Sequence, residues 1–167
     1  MSAGRLKLDD QLCFALYAAT NAVTRAYRPR LAQIGLTYPQ YLIMMVLWQD
    51  GPRTLGAIAS RLCLAQNAIT PLVDRLENAG FIIRSRNATD RRVTTITLTP
   101  MGEALHDSAA AAQGEVRCQT MLDDAELEKM RDTLLALVGR MEGDHDLPDI
   151  AAADRADIQP LHEGPGA

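Results

Sequence analysis

The chain has 167 residues, a formal net charge of -4, 47% hydrophobic residues and only 4% aromatic ones. That length suits one domain able to bury a core without disulfides, and an Ala- and Leu-rich, aromatic-poor composition points to a mainly α protein with few, short strands. There is no basic leader feeding an apolar stretch and no window of roughly 18 uncharged apolar residues, so a cytoplasmic protein without a membrane partner is expected.

From Leu8 to about Ile34, apolar residues recur at intervals of three and four (Leu12, Ala15, Leu16, Ala19, Val23), which predicts a long amphipathic helix, bent or interrupted near Pro29 and ended by Gly35. Thr37 as N-cap, Pro39 in the first turn and Gly51 as the stop frame a second, strongly buried helix. Thr54 caps a short helix ending near Cys63, and "AQNAITPLVDRLENAG" makes the next, over residues 66–79 and closed by Gly80. Pro71 is in mild conflict with the interior of that helix. The period then changes: β-rich runs at 81–84 and 93–98 flank a polar, basic turn and should pair as a hairpin. Thr99 and Pro100 open a helix running to about Met121. Asp123 with Glu126 resembles a capping box for a last helix ending near Met141. Beyond Gly143 the chain is acidic and holds Pro148, Pro160 and Pro165, the composition of a flexible tail.

The net charge conceals a strong division along the chain. Residues 53–92 carry seven arginines against Asp74, Glu77 and Asp90, a local charge of +4, which leaves -8 for the rest. A basic middle in an acidic chain suits an anionic partner. Two short helices joined by a tight turn, then a hairpin with arginines at its tip, make the order of a winged helix-turn-helix, whose second helix enters the major groove. Gln66 and Asn67 open that helix with amides suited to adenine; Thr70 and Arg75 follow on it. In the wing, Arg84, Arg86 and Arg92 are expected on phosphates or the narrow minor groove, with Asp90 bracing one of the arginines.

Cys13, Cys63 and Cys118 are widely spaced, with no Cys-x-x-Cys and no cysteine-histidine cluster, so neither a metal nor a cofactor is expected. Cys63, apolar on both sides, reads as core. Cys13 and Tyr17 are four apart and share a helix face. Tyr27 returns near that face but about 21 Å along the axis, so within one straight helix it cannot touch Cys13. An antiparallel crossing of two first helices about a two-fold would bring Cys13 of one chain beside Tyr27 of the other, with Tyr38 entering from the next helix.

From "TYPQYLIMMVLW" through "ITPLVDRLENAGFIIRSRNATDRRVTTITLTPMGEAL" the chain resembles the MarR family of dimeric bacterial transcriptional regulators, whose wing carries Asp-x-Arg, here Asp90 to Arg92. "QLCFALYAA", "RAYRP" and "GLTYPQY" are similar to the organic hydroperoxide resistance regulators of the two-cysteine type within it, and the resemblance covers residues 6 to about 141. It departs from that group at "AQNAIT", where Asp-Ser-Gly-Thr-Leu-Thr is more common, which bears on the operator sequence and not on the fold.

The resemblance implies a homodimeric repressor bound to double-stranded operator DNA, with an organic hydroperoxide as inducer. It implies a winged helix-turn-helix at 37–99 on a helical dimerisation region formed by 1–36 and 100–142, with the acidic tail at 143–167. Tyrosines at positions matching Tyr27 and Tyr38 hydrogen-bond the reactive cysteine across the dimer in that group, so Cys13 is expected to be the sensing thiol, with Tyr17 nearby. Cys118 fits the resolving cysteine, and their bridge would join the subunits. Two other readings stay open: a regulator gated by a small phenolic or aromatic acid between base and reading head, and a thiol peroxidase. No redox Cys-x-x-Cys, metal cluster, phosphate loop or hydrolase triad supports turnover, so an enzyme is not expected.

Overall fold

Helix-start chemistry sets most of the element boundaries in the computed structural model, which describes residues 6–86 and 94–142. A short 3-10 turn at Leu8–Asp10 leads into α1, Leu12–Gln33, with Pro29 inside the helix. Of the bend or interruption expected near Pro29, the interruption does not occur. Proline removes only the hydrogen bond to the Arg25 carbonyl, and both residues are exposed, where water can take that carbonyl.

Helix α2, Tyr38–Asp50, begins where the Thr37 backbone N–H and hydroxyl both donate to Gln40 Oε1, each at 2.9 Å. Strand β1, Arg53–Thr54, hands over to α3, Leu55–Arg61, through the Thr54 hydroxyl, which accepts from the Ala57 N–H at 3.2 Å. Helix α4 spans Gln66–Asn78 with Pro71 accommodated inside it. Gly80, at φ +79, lets the chain leave α4: the Phe81 N–H returns to the Leu76 carbonyl at 3.0 Å. That left-handed position strains any residue with a Cβ. The chain then enters β2, Ile82–Arg86, which pairs antiparallel with β3, Thr94–Leu98.

The sheet has three strands in the order β1-β3-β2, with Arg53 opposite Ile96. The predicted hairpin is thus present, and the two-residue β1 adds to its edge. The helix expected from Thr99 to Met121 is divided into α5, Pro100–Glu103, and α6, His106–Gln119. Trp48 Nε1 donates to the Gly102 carbonyl at 3.2 Å, and the Leu105 N–H reaches the same oxygen at 3.3 Å. These bonds take the acceptor that a continuous helix would offer to residue 106. Gly102 also lies so close to the end of α4 and β2 that a Cβ would sit 2.0 Å from the Phe81 carbonyl oxygen. Helix α7, Asp124–Glu142, opens with the reciprocal bonds expected of Asp123 and Glu126, at 3.0 and 2.8 Å.

The core lies among α2, α3, α4 and the sheet, where Ile43, Met44, Leu47, Ile58, Ile69 and Ile96 are fully buried. Helix α1 packs on α6 through Leu31, Ala109 and Ala112, with an Arg30–Glu115 ion pair of 2.6 Å at the edge. Helix α7 is tied to α6 by the Arg117–Asp124 ion pair and has only glancing contact with other elements. Among the described residues, no helix is long and apolar enough to cross a membrane.

Cys63 corrects the sequence reading. It is exposed, at φ +54, in the turn between α3 and α4. Its Leu neighbours suggested core, but a residue leaving a helix in a left-handed conformation turns away from the face that those neighbours share.

Candidate functional site

Two groups of side chains stand out, one around the tyrosines and one on the reading head. Tyr27 lies two-thirds along α1, Tyr38 opens α2 and Tyr41 follows one turn later. Their rings form a triangle, with centroids 5.0 Å apart for Tyr27 and Tyr38, 5.4 Å for Tyr27 and Tyr41, and 6.1 Å for Tyr38 and Tyr41. The Tyr27 and Tyr41 side chains are close enough to influence each other's protonation, Tyr27 pushing the Tyr41 phenol up. Burial raises all three phenols above their ordinary pKa, with the neighbouring Tyr38 adding to the shift on Tyr27. All three therefore remain protonated, and able to donate, at neutral pH.

Tyr27 and Tyr38 also line a cleft of about 500 Å³ between α1, α6 and α7, with Val116, Arg117, Leu127 and Arg131 on the other walls. Cys118 sits beside this wall, near the end of α6: Arg117 and Thr120, on either side of it in sequence, both face the cleft. The Cys118 thiol is free and exposed.

Cys13 lies in the first turn of α1, also free and exposed. Because α1 is unbroken, the fourteen-residue interval to Tyr27 spans about 21 Å, and one chain does not bring this thiol to its phenols. Tyr17 stands with Cys13 on the exposed half of α1, outside the triangle. That half also exposes Leu12 and Phe14, and α7 exposes Met130, Leu134 and Met141 at helical spacing. These are two apolar faces that their own chain leaves uncovered.

On the reading head, Ile69, Val73 and Leu76 take the buried side of α4 and leave Gln66, Asn67 and Arg75 exposed. The Thr70 hydroxyl donates back to the Gln66 carbonyl at 2.9 Å. Gln66 also meets a neighbouring helix. Its amide lies over Gly56 of α3, so close that a Cβ there would meet Nε2 at 2.7 Å. Both Gln66 and Asn67 remain exposed.

The Arg84 guanidinium is held at 2.5 Å by Asp74 and at 2.6 Å by Glu77, both on α4, and so links the reading helix to the wing strand. Arg86, last in β2, is exposed. Asp90 and Arg92, expected in the wing tip, and the acidic tail lie outside the described residues.

Sequence reasoning missed Tyr41 and the Asp74, Glu77 and Arg84 group. Tyr41 was absorbed into the apolar run of α2. The acids were legible only as charge, because it is the turn at Gly80 that folds β2 back on α4 and brings Arg84 to them.

A MarR family model matches residues 36–94. The chain is 42% identical over 144 residues to the HTH-type transcriptional regulator TtmR of Methylorubrum extorquens (strain PA1), covering 81% of this chain and 73% of that protein. It is 33% identical to the organic hydroperoxide resistance transcriptional regulator of Bacillus subtilis (strain 168), covering 80% and 90% respectively. Among solved structures it is similar to reduced AbfR bound to DNA, AbfR being a protein of Staphylococcus epidermidis, with 32% identity, a TM-score of 0.68 and coverage of 81% of this chain and 96% of that one. The same protein is known in a disulfide form, matched with a TM-score of 0.57 at 32% identity over 81% of this chain and 90% of that one.

Proposed function

The chain belongs to the MarR family of DNA-binding transcriptional regulators, and we propose that it is a homodimeric repressor switched by organic hydroperoxides through Cys13 and Cys118. The observation that carries this reading is the phenol triangle. It presents protonated hydroxyls beside an open cleft, while the exposed thiol suited to receive them stands on an uncovered apolar face of α1. Two copies packed through α1, α6 and α7 would cover both faces and bring Cys13 of one chain to Tyr27 and Tyr38 of the other. Phenol donors favour the thiolate over the thiol. The division into a dimerisation region at 1–36 and 100–142, a reading head at 37–99 and a tail at 143–167 is part of the same proposal.

In the chemistry that follows, the Cys13 thiolate attacks the terminal oxygen of the hydroperoxide. The O–O bond breaks, the alcohol leaves after taking a proton, and Cys13 becomes a sulfenic acid. The Cys118 sulfur of the partner subunit then attacks the Cys13 sulfur, water leaves and a disulfide forms. Closing that bridge shifts the base on which both reading heads sit, so their spacing no longer matches one turn of DNA. Asn67, Thr70 and Arg75 on α4, with Arg86 and Arg92 of the wing, form the DNA-contacting set, and Asp90 braces a wing arginine. The similarity to a hydroperoxide regulator and to a protein with both DNA-bound and disulfide forms supports this reading.

A second reading rests on the cleft itself. Its volume and its apolar Val116 and Leu127, with Arg117 and Arg131 set among Asp124 and Glu128, suit a small phenolic or aromatic acid that competes for the arginines. Operator binding measured with cumene hydroperoxide and with salicylate separates the two. The redox reading expects release by the first, reversed by dithiothreitol, and none by the second.

A further inference from the structure

Asp74 lies seven residues after Asn67 on α4, close to two turns, so the two project from one side of the helix. The buried side belongs to Ile69, Val73 and Leu76. A carboxylate on the side of a helix that meets DNA repels the phosphates that the helix must approach. The Asp74 side chain is 51% exposed, so its charge is not removed by burial. Glu77 follows one turn later and adds a second negative charge on α4.

Arg84 meets both acids. Nη2 donates to Asp74 Oδ1 at 2.5 Å and Nη1 to Glu77 Oε2 at 2.6 Å. Its backbone N–H donates separately to Glu77 Oε1 at 3.1 Å. The backbone bond fastens β2 to α4 and does not depend on the Arg84 side chain, and a glutamine at 77 could accept it equally well. What the guanidinium alone supplies is charge. The hydrogen bond it donates to Asp74, with Glu77 behind, holds that cation even more firmly protonated than an ordinary arginine.

We propose that Arg84 is a charge mask for the reading helix: shared between the Asp74 and Glu77 carboxylates, it offsets one of their two negative charges so that α4 can lie against phosphates, and it sets operator affinity without touching DNA. This makes it a positioning residue in the electrostatic sense, different from the phosphate-contacting arginines of the wing. The proposal rests on α4 being the DNA-contacting helix, and the test includes a variant that examines that premise separately.

The experiment is fluorescence anisotropy of a labelled operator fragment with the full-length protein, over a series of salt concentrations, with the thermal midpoint of each variant recorded. The variants are Asn67→Ala, Arg84→Gln, and the triple change Arg84→Gln, Asp74→Asn, Glu77→Gln. Arg84→Gln is expected to weaken binding about tenfold or more at low salt, with the deficit shrinking as salt screens the bare acids. The triple variant, still lacking Arg84, is expected to return to within about threefold of the parent, because nothing is left to mask. It holds no unpaired charge, so it keeps the comparison intact even where Arg84→Gln alone does not fold. A triple variant as weak as one that has lost a phosphate contact overturns the mask, as does Arg84→Gln binding like the parent while Asn67→Ala binds weakly. If Asn67→Ala and Arg84→Gln both bind like the parent, α4 is not the contact surface and the underlying reading falls with the mask.

Discussion

Tyr27 and Tyr38 lie 5.0 Å apart between ring centroids, although they belong to different helices, and the buried Tyr41 closes the triangle behind them. Burying phenols is costly unless their hydroxyls are partnered. Tyr41 packs against the Tyr27 ring, and Tyr27 and Tyr38 keep their access to the cleft. Hydrogen bonds to a charged acceptor are worth roughly 1.5–3 kcal/mol. Tyr27→Phe and Tyr38→Phe are each expected to slow oxidation of Cys13 by about tenfold or more. Tyr41→Phe should slow it less, because it acts only through the Tyr27 ring. The rate of sulfenic acid capture by a dimedone probe measures this, and a Tyr27→Phe rate equal to the parent's would remove the phenols from the mechanism.

The same burial makes a prediction about alkaline pH. All three phenols are raised above their ordinary value, so the unfolded chain releases these protons before the folded one does. The stability involved is complete below the unfolded value of about 10 and is lost as pH rises through the folded values. The thermal midpoint should hold up to about pH 9.5 and fall above it, with Tyr41→Phe falling less steeply. Parallel curves for parent and variant would contradict the assignment.

Gln66 and Asn67 should separate in function. Asn67→Ala is expected to relax base preference at one position per half-site, by about 1–3 kcal/mol. Gln66→Ala removes an amide that lies over Gly56, so it should lower the thermal midpoint and leave the preferred operator sequence unchanged. Selection of binding sites from a randomised pool decides between these outcomes; a changed consensus for Gln66→Ala would restore it as a base reader.

The uncovered face of α7 carries Met130, Leu134 and Met141, all exposed in the single chain. Placing a charge there should cost more than the loss of one apolar contact, because a dimer would bury it unpaired. Leu134→Asp is expected to sediment as a monomer at concentrations where the parent is a dimer, and to lose operator binding. A dimeric Leu134→Asp that still binds DNA would move the interface elsewhere.

Much of this molecule was legible from end-of-helix chemistry. Thr37, Thr54, Thr99 and the Asp123 and Glu126 pair each start a helix as their residue types predict, because a cap is a local interaction over three residues. What failed was non-local. A two-residue β1 is too short to show alternation and exists only because β3 passes beside it. Pro29 seemed a break because its exposure was not visible in the sequence. The division of the helix after Thr99 depends on Trp48, far away in the chain. Arg84 had the composition of a wing contact, and only the packing of β2 against α4 shows two acids waiting for it. Cys13 is the limiting case, since the side chains proposed to activate it belong to a second copy.

The most direct test of the account is mass spectrometry of the protein after stoichiometric treatment with an organic hydroperoxide, read with a denaturing gel run without reductant. The account predicts a covalent dimer held by a Cys13 to Cys118 crosslink between subunits, absent from both Cys13→Ser and Cys118→Ser. In parallel operator assays Cys13→Ser should stay bound to DNA through the treatment, since a hydroxyl is a far poorer nucleophile, while Cys118→Ser should stall as a Cys13 sulfenic acid. A crosslink within one chain, a crosslink through Cys63, or operator release by hydroperoxide from Cys13→Ser would contradict it.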